Sequence, residues 1–319
     1  MRRIQKKKSV LAVALTVVLI ITAPVLVTWV ARAAPVSPDT HNGGLEVAPQ
    51  TIRAGAQPTL LFSDDFNGAS LDQSKWNPHY WWRDSKDGCS IVPNGEFEWY
   101  LPDEVLVSNG SLKLRAQKRT VTTADGKVYN YTSGVVSTGA ECFADPAGDK
   151  FGYQYGYAEI RAKVPKGKAF WPTFWLMASD QVWPPEVDIL EMDGAHLNNN
   201  TMTLHYSNAD GVHNSSSGEW SGPDFSAGWH TFGLDWQPNA LIWYIDGMER
   251  RRYTNATYIP HERMYVTLNL AVGGDYLGPP DSTTPFPSYF EIDYAKVWSA
   301  RPGSTFTPKA WSFLPLVRD

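Results

Sequence analysis

Residues 155–164, YGYAEIRAKV, show the alternation of apolar and polar side chains that predicts a β-strand. Residues 240–253, ALIWYIDGMERRRY, place an Asp-Gly pair between two strand-like runs, which is a hairpin signal. Short segments rich in β-branched and aromatic residues continue from about residue 59 to 300, without a long amphipathic helical pattern or a fixed repeat. The sequence therefore predicts an all-β chain folded as one antiparallel β-jelly-roll sandwich.

The composition is that of a globular chain with a large core. Of 319 residues, 43% are hydrophobic, and 14 Trp and 15 Tyr suit both β-sheets and sugar-binding surfaces. The net charge of -5 gives no broad basic footprint, so we expect no nucleic-acid partner. The same charge weighs against a strongly polyanionic substrate.

The N-terminal segment has the pattern of an export signal. Residues 1–8 are basic, residues 9–31 are uncharged, and small residues near 31–34 offer a cleavage site. Residues 1–34 are predicted to be a signal peptide. An uncleaved membrane anchor is the alternative, because about 18 apolar residues can span a bilayer. Either way the basic flank predicts an extracellular domain.

The remaining boundaries follow from composition. Residues 35–58, rich in Pro, Ala, Thr and Gly, are predicted to be a linker. The domain then covers residues 59–300, and a tail at 301–319 either packs on the sandwich or acts as a sorting signal.

Two cysteines, Cys89 and Cys142, are present. An exported chain allows a disulfide between them, but the sequence does not give their separation in space. A disulfide and two free thiols both stay open.

Several familiar catalytic motifs are missing from the sequence. It has no G-x-S-x-G elbow, no Walker A loop, no G-x-G-x-x-G after a strand and no Cys pair at zinc spacing. The intervals between His196, His205 and His213 fit no familiar zinc pattern. Carboxylates are the remaining candidates for chemistry.

Residues 183–194, WPPEVDILEMDG, contain three acids within six residues: Glu186, Asp188 and Glu191. In a regular strand Glu191 would face away from the other two. A β-bulge at Leu190 would restore one common face. The two glutamate carboxyl groups would then lie roughly 5 Å apart, the separation that retaining glycosidases use. A calcium site and a polar strand face are the alternatives.

The stretch PEVDILE resembles the bulged E-x-D-x-x-E signature of glycoside hydrolase family 16, in its laminarinase-like branch, whose members are jelly-roll endo-glycanases. The likeness continues through residues 151–177, 203–206, 234–251 and 268–298, so it covers most of residues 60–300. Pro185 departs from the pattern, because laminarinase-like members commonly have Gly there.

The resemblance implies a role for each acid. Glu186 would be the nucleophile, Glu191 the acid/base, and Asp188 a hydrogen-bonding neighbour that tunes both. His205, in TLHY, would approach the same group from the adjacent strand, whereas without the resemblance it would be read as a surface or core histidine.

Substrate contacts follow from the same resemblance, which implies a concave cleft. Trp171 and Trp175 lie four residues apart and so project to one side of a strand. The resemblance places both in the cleft, and a core position is the alternative. NGEFEWY, residues 94–100, is similar to a family N-x-E-x-Q-x-Y segment in which Glu98 replaces the amide. The predicted sugar-binding residues are Trp171, Trp175, Asn94, Glu98, Asn269 and Trp183, the last of which could instead cap the core.

A structural calcium ion is also implied by the resemblance. Family members often hold one between an acid, a glycine carbonyl and a second acid, and the matching positions are Asp65, Gly110 and Asp293. No cofactor is expected for catalysis itself.

The expected function is that of a secreted, retaining endo-β-1,3-glucanase acting on laminarin-type β-glucan as a monomer. One alternative is a retaining endo-glycanase of the same fold that acts on mixed-linkage β-1,3-1,4-glucan or on a galactan such as agar or carrageenan. The other is a non-catalytic carbohydrate-binding sandwich.

Overall fold

The computed structural model describes residues 57–80, 90, 93–142 and 148–303. The predicted signal or anchor segment, most of the linker and the tail from residue 304 lie outside them. No helix within the described residues is long and apolar enough to cross a membrane.

Strands dominate the described chain. They are, in chain order, β1 Leu60–Asp64, β2 Glu98–Tyr100, β3 Val105–Ser108, β4 Ser111–Thr122, β5 Val128–Ser133, β6 Val135–Ser137, β7 Gly152–Tyr153, β8 Gly156–Lys163, β9 Phe170–Ala178, β10 Glu186–Glu191, β11 Asn199–Ser207, β12 His213–Ser221, β13 His230–Gln237, β14 Ala240–Ile245, β15 Met248–Tyr253, β16 Met264–Val272 and β17 Ser288–Trp298. Helical structure is limited, among these residues, to 3₁₀ turns at Pro102–Glu104 and Ala256–Tyr258 and the one-turn α1, Gly274–Leu277.

Two sheets account for all the strands just named. Ten strands form one sheet in the order β15-β14-β13-β8-β17-β4-β5-β2, with β1 on β17 and β3 on β4. Seven form the other in the order β12-β11-β10-β9-β16-β6, with β7 on β16. Every pair is antiparallel except β2 with β5. The predicted all-β jelly-roll sandwich is confirmed.

The strand and the hairpin predicted from local pattern are both present. In β8, Ala158, Ile160 and Ala162 are at most 1% exposed, so one face packs into the core. Between β14 and β15, Asp246 (φ 51°) and Gly247 (φ 73°) form the turn. Two consecutive positive φ values are those of a type I′ turn, which matches the twist of the flanking strands.

The core lies between the two sheets and is rich in large aromatic side chains. Trp76, Trp236, Trp243, Phe174 and Phe232 are each at most 1% exposed. Burying one such side chain contributes about 1.5–3 kcal/mol. The face of the seven-stranded sheet that points away from this core carries a cleft of about 550 Å³.

Candidate active site

The central strand of the cleft is β10, and it carries a bulge. From Asp188 to Glu191, β10 runs over three residue steps. The paired segments, Trp175 to Thr173 of β9 and Thr203 to Thr201 of β11, run over only two. One extra residue therefore re-phases the strand. As a result Glu186, Asp188 and Glu191 all line the cleft.

The position of the extra residue differs from the expectation. Leu190 pairs with Phe174 of β9, so Ile189 is the residue without an opposite partner on that side. Val187, Ile189 and Leu190 are all at most 1% exposed. The bulge thus places two consecutive apolar side chains in the core, which a regular strand cannot do.

A buried side chain completes the hydrogen bonding of the bulge. Asn200, fully buried on β11, accepts from the Glu191 amide N at 3.0 Å and donates through Nδ2 to the Ile189 carbonyl O at 3.1 Å. Trp243 of the opposite sheet donates through Nε1 to the Asp188 carbonyl O at 2.8 Å. The backbone between the acids is therefore held from two directions.

Burial raises the pKa values of all three acids, and repulsion between carboxylates raises those of Glu186 and Glu191 further. For Glu186 and Glu191 burial is the largest cause and the negative charge of Asp188 the next. Burial also raises the pKa of Asp188, opposed by a hydrogen bond with Glu186. Because the pKa values of all three acids are raised, the site retains protons at pH values where a solvated acid would lose them.

His205 lies beside the acids, where the resemblance placed it. Its Nε2 is 3.3 Å from Asp188 Oδ2 and 3.8 Å from Glu186 Oε1, across the strand pair β10–β11. Its positive charge lowers the pKa values of Glu186 and Glu191 and so opposes the effect of burial.

Glu186, Asp188 and His205 also have ligand atoms within 4.8 Å of one another. Among the described residues they form the one group of at least three His, Cys, Asp or Glu side chains that could hold a metal ion.

The two predicted cleft tryptophans project to the same side of β9 and both line the cleft. The Trp171 indole interacts with Glu191 and lowers its pKa, and its ring lies 5.1 Å from that of Tyr276. Trp175 is 8% exposed and donates through Nε1 to Asn269 Oδ1 at 2.8 Å.

Trp183 is 47% exposed and donates through Nε1 to Glu186 Oε2 at 3.0 Å. It therefore borders the cleft beside Glu186 and does not cap the core.

The remaining predicted sugar-binding residues have different positions. Asn94 lines the cleft and donates to Glu96. Asn269 lines it too, but its amide is committed to Trp175, Thr173 and Tyr100.

Glu98 does not line the cleft. It is fully buried and accepts a hydrogen bond from the Val272 amide N at 2.7 Å. The predicted contact of Glu98 with a sugar is therefore corrected: its side chain lies beneath the cleft floor.

Further residues line the cleft that sequence reasoning did not select: Tyr80, Pro93, Glu96, Thr173, His213 and Ala271. The family-like segment contained a signal for Glu96, because it lies two residues from Asn94 and strand alternation gives the two a common face. His213 had no local signal, since strand pairing alone brings it beside His205.

The three residues considered for calcium do not fit that ion in this arrangement. Asp65 Oδ1 lies 2.7 Å from Lys296 Nζ, and Asp293 Oδ2 lies 2.7 Å from Arg161 Nη1. Gly110 has a φ of 70° in the turn before β4. Because each carboxylate is already neutralised by a cation, the pair offers little uncompensated charge for Ca²⁺.

Of the two cysteines, Cys142 is disulfide-bonded. Cys89, the other cysteine of the chain, lies outside the described residues.

Comparison with known proteins gives a consistent result. The model of glycosyl hydrolases family 16 matches residues 95–296. Endo-1,3-1,4-beta-glycanase EglC of Rhizobium meliloti is 33% identical over 254 residues, which are 76% of this chain and 52% of that protein. The glucan endo-1,3-beta-glucosidase A1 of Niallia circulans is 27% identical over 80% of this chain and 40% of its own length. The chain thus spans about half the length of these relatives, or less.

A solved structure extends the likeness to three dimensions. The catalytic domain of an endo-1,3-beta-glucanase (laminarinase) from Thermotoga petrophila has a TM-score of 0.64 and 29% identity. The alignment covers 78% of this chain and all of that domain.

Proposed function

Because the chain belongs to glycosyl hydrolases family 16, we propose that it is a retaining endo-glycosidase that hydrolyses internal β-1,3-glucosidic bonds of laminarin-type β-glucans. The observation that carries the proposal is the bulged strand β10, which presents Glu186, Asp188 and Glu191 on one face of an aromatic-lined cleft. Glycosidases act with a pair of carboxyl groups, and the family resemblance favours their use in double displacement. The N-terminal export pattern supports action outside the cell.

In the first step Glu186 attacks the anomeric carbon while protonated Glu191 donates its proton to the departing glycosidic oxygen. The raised pKa of Glu191 supports the protonated form at neutral pH. Burial raises the pKa of Glu186 as well, and the charge of His205 and the hydrogen bond from Trp183 oppose that rise. Glu186 attacks when it is ionised.

In the second step Glu191 removes a proton from water, which attacks the glycosyl-enzyme and releases Glu186. Ester formation removes the negative charge of Glu186, and with it the repulsion between Glu186 and Glu191 that opposes ionisation of this pair. Glu191 is therefore a weaker acid at the start of the reaction and a stronger one after the ester has formed.

A mixed-linkage specificity is the second candidate, and one observation favours it. The Rhizobium meliloti relative is named an endo-1,3-1,4-beta-glycanase and is more similar in sequence than the Niallia circulans β-1,3-glucosidase. The two candidates share the fold and the double-displacement chemistry and differ in the linkage that the cleft accepts.

The test is to incubate the purified chain with laminarin, lichenan and agarose, size the products and follow their anomeric configuration by proton NMR. We expect a ladder of oligosaccharides from laminarin, released first as the β-anomer, and a loss of about 10²-fold or more of this activity in Glu186→Gln. Preferential cleavage of lichenan would establish the mixed-linkage candidate. Cleavage of agarose alone would indicate a galactanase. Binding without new reducing ends would establish a non-catalytic sandwich.

A further inference from the structure

His213, the first residue of β12, is joined to the acids through His205. The Nε2 atom of His213 lies 2.9 Å from His205 Nδ1, and the two rings stack with centroids 5.2 Å apart at 22°. The contact arises because β11 and β12 pair with Ser207 opposite His213, which places His205 and His213 on the same face of the hairpin.

The second contact of His213 is with Trp183. Their ring centroids are 4.5 Å apart. Trp183 donates to Glu186 Oε2, and His205 lies 3.8 Å from Glu186 Oε1. His213 therefore touches both of the side chains that contact the two oxygens of Glu186.

The protonation state of the histidine pair follows from its surroundings. Burial and the neighbouring His205 both lower the pKa of His213, which favours its neutral form. A neutral imidazole has one nitrogen that accepts. When Nε2 of His213 accepts from Nδ1–H of the imidazolium form of His205, the second N–H of that ring, at Nε2, donates toward Asp188.

We propose that His213 is a positioning residue for the nucleophile: it accepts a hydrogen bond from His205 Nδ1–H and supports Trp183, so that both hold Glu186 as the attacking carboxylate. This inference rests on the proposed function of the same site. The titratable groups that face the histidine pair are Glu186, Asp188 and Glu191, all on β10.

The test compares two substitutions at this position. His213→Phe keeps a flat ring against Trp183 but removes the acceptor, whereas His213→Gln supplies an acceptor oxygen. We expect His213→Phe to lower kcat on laminarin about tenfold, the equivalent of one lost hydrogen bond, with KM nearly unchanged. The acid limb of kcat/KM should shift to higher pH, because His205 without its acceptor is held less firmly beside Glu186 and lowers the pKa of Glu186 less.

His213→Gln should restore most of kcat and of the pH profile. His196→Phe is the matched control, since His196 is exposed and bonded to Asp193 rather than to the site. An unchanged profile in His213→Phe, or equal defects in the Phe and Gln variants, would overturn the proposal.

A measurement independent of activity separates this inference from the proposed function. In proton NMR the Nδ1–H of His205 should give a slowly exchanging low-field signal that His213→Phe abolishes and His196→Phe retains. If the unmodified chain cleaves none of the glucans, the proposed function fails. Persistence of the signal in His213→Phe would refute the role of His213 whether or not the chain is active.

Discussion

At the scale of single residues, the proposed mechanism gives Glu186 and Glu191 different tasks, so the two should respond differently to substitution. Both Glu→Gln variants should fold, and each should lose about 10²–10⁴-fold of kcat on laminarin. Glu191→Gln should keep far more activity on a dinitrophenyl glycoside, because that leaving group needs no proton. Azide can attack the glycosyl-enzyme of Glu191→Gln without a general base, so added azide should give a β-glycosyl azide as the product. Glu186→Gln should show neither effect.

The control for both variants is a thermal melt that overlays that of the unmodified chain. Equal losses of Glu191→Gln on laminarin and on the activated substrate would show that Glu191 is not the proton donor.

Glu98 offers a residue-scale prediction for stability. Burial, followed by the charge of Glu96, raises the pKa of Glu98 to about 8, against about 4.3 in an unfolded chain. Between these pH values the folded state binds the additional proton, so the stability that Glu98 contributes falls as pH rises through this window. Glu98→Gln cannot ionise and should therefore gain stability over the unmodified chain from pH 5 to pH 9.

Urea unfolding at pH 5, 7 and 9 measures this difference. Asp210→Asn, at an exposed acid, serves as the control. A difference between Glu98→Gln and the unmodified chain that stays constant across the three pH values would show that Glu98 does not titrate in this window.

The contrast between Glu96 and Glu98 shows what residue-level patterns can predict. Both lie in one family-like segment, and the substitution of Glu98 for an amide was visible in the sequence. Its burial was not, because it depends on β2 pairing with β5 and on the Val272 amide of a distant strand. Glu96, two residues earlier, lines the cleft instead.

At the scale of the element, the bulge of β10 depends on Asn200. Asn200→Ala leaves the Glu191 N–H and the Ile189 carbonyl without partners in the core, which should cost about 1–3 kcal/mol and also lower kcat by displacing Glu191. Asn199→Ala is the control on the same strand, because Asn199 bonds to Glu219 and Ser221 in exposed positions. Urea unfolding and laminarin kinetics should separate the two variants, and equal behaviour would contradict a supporting role for Asn200.

The bulge was predictable from sequence, but its location was not. Three acids within six residues need one extra residue if they are to share a face, and that requirement is local. Whether Ile189 or Leu190 is the extra residue depends on which one pairs with Phe174 of β9. Both are apolar and buried, so no property of either side chain distinguishes them.

At the scale of the whole molecule, the ion pairs at the candidate calcium residues predict that calcium does not change the Tm. A ligand that binds the folded state raises Tm by mass action, and its removal lowers Tm. Because Asp65 and Asp293 are paired with Lys296 and Arg161, EDTA should leave Tm unchanged and added CaCl₂ should not raise it. Differential scanning calorimetry measures both, and a clear rise with CaCl₂ would restore the calcium site.

The fold class was predictable because it follows from local period and turn chemistry, as β8 and the Asp246–Gly247 turn show. The order of strands was not. β8 lies between β13 and β17, which come roughly 70 and 130 residues later in the chain. Such pairing is decided by which buried faces fit together, and local alternation contains no information about it.

The bond from Trp243 to the Asp188 carbonyl has a consequence for how the proposed activity is lost on heating. It ties strand β10 to the sheet behind it, so a small slip between the two layers would misalign the acids while the core is still closed. Heat inactivation should therefore precede loss of the circular dichroism signal. Loss of activity would then report a loosening between the two sheets that circular dichroism melting curves detect only at higher temperature.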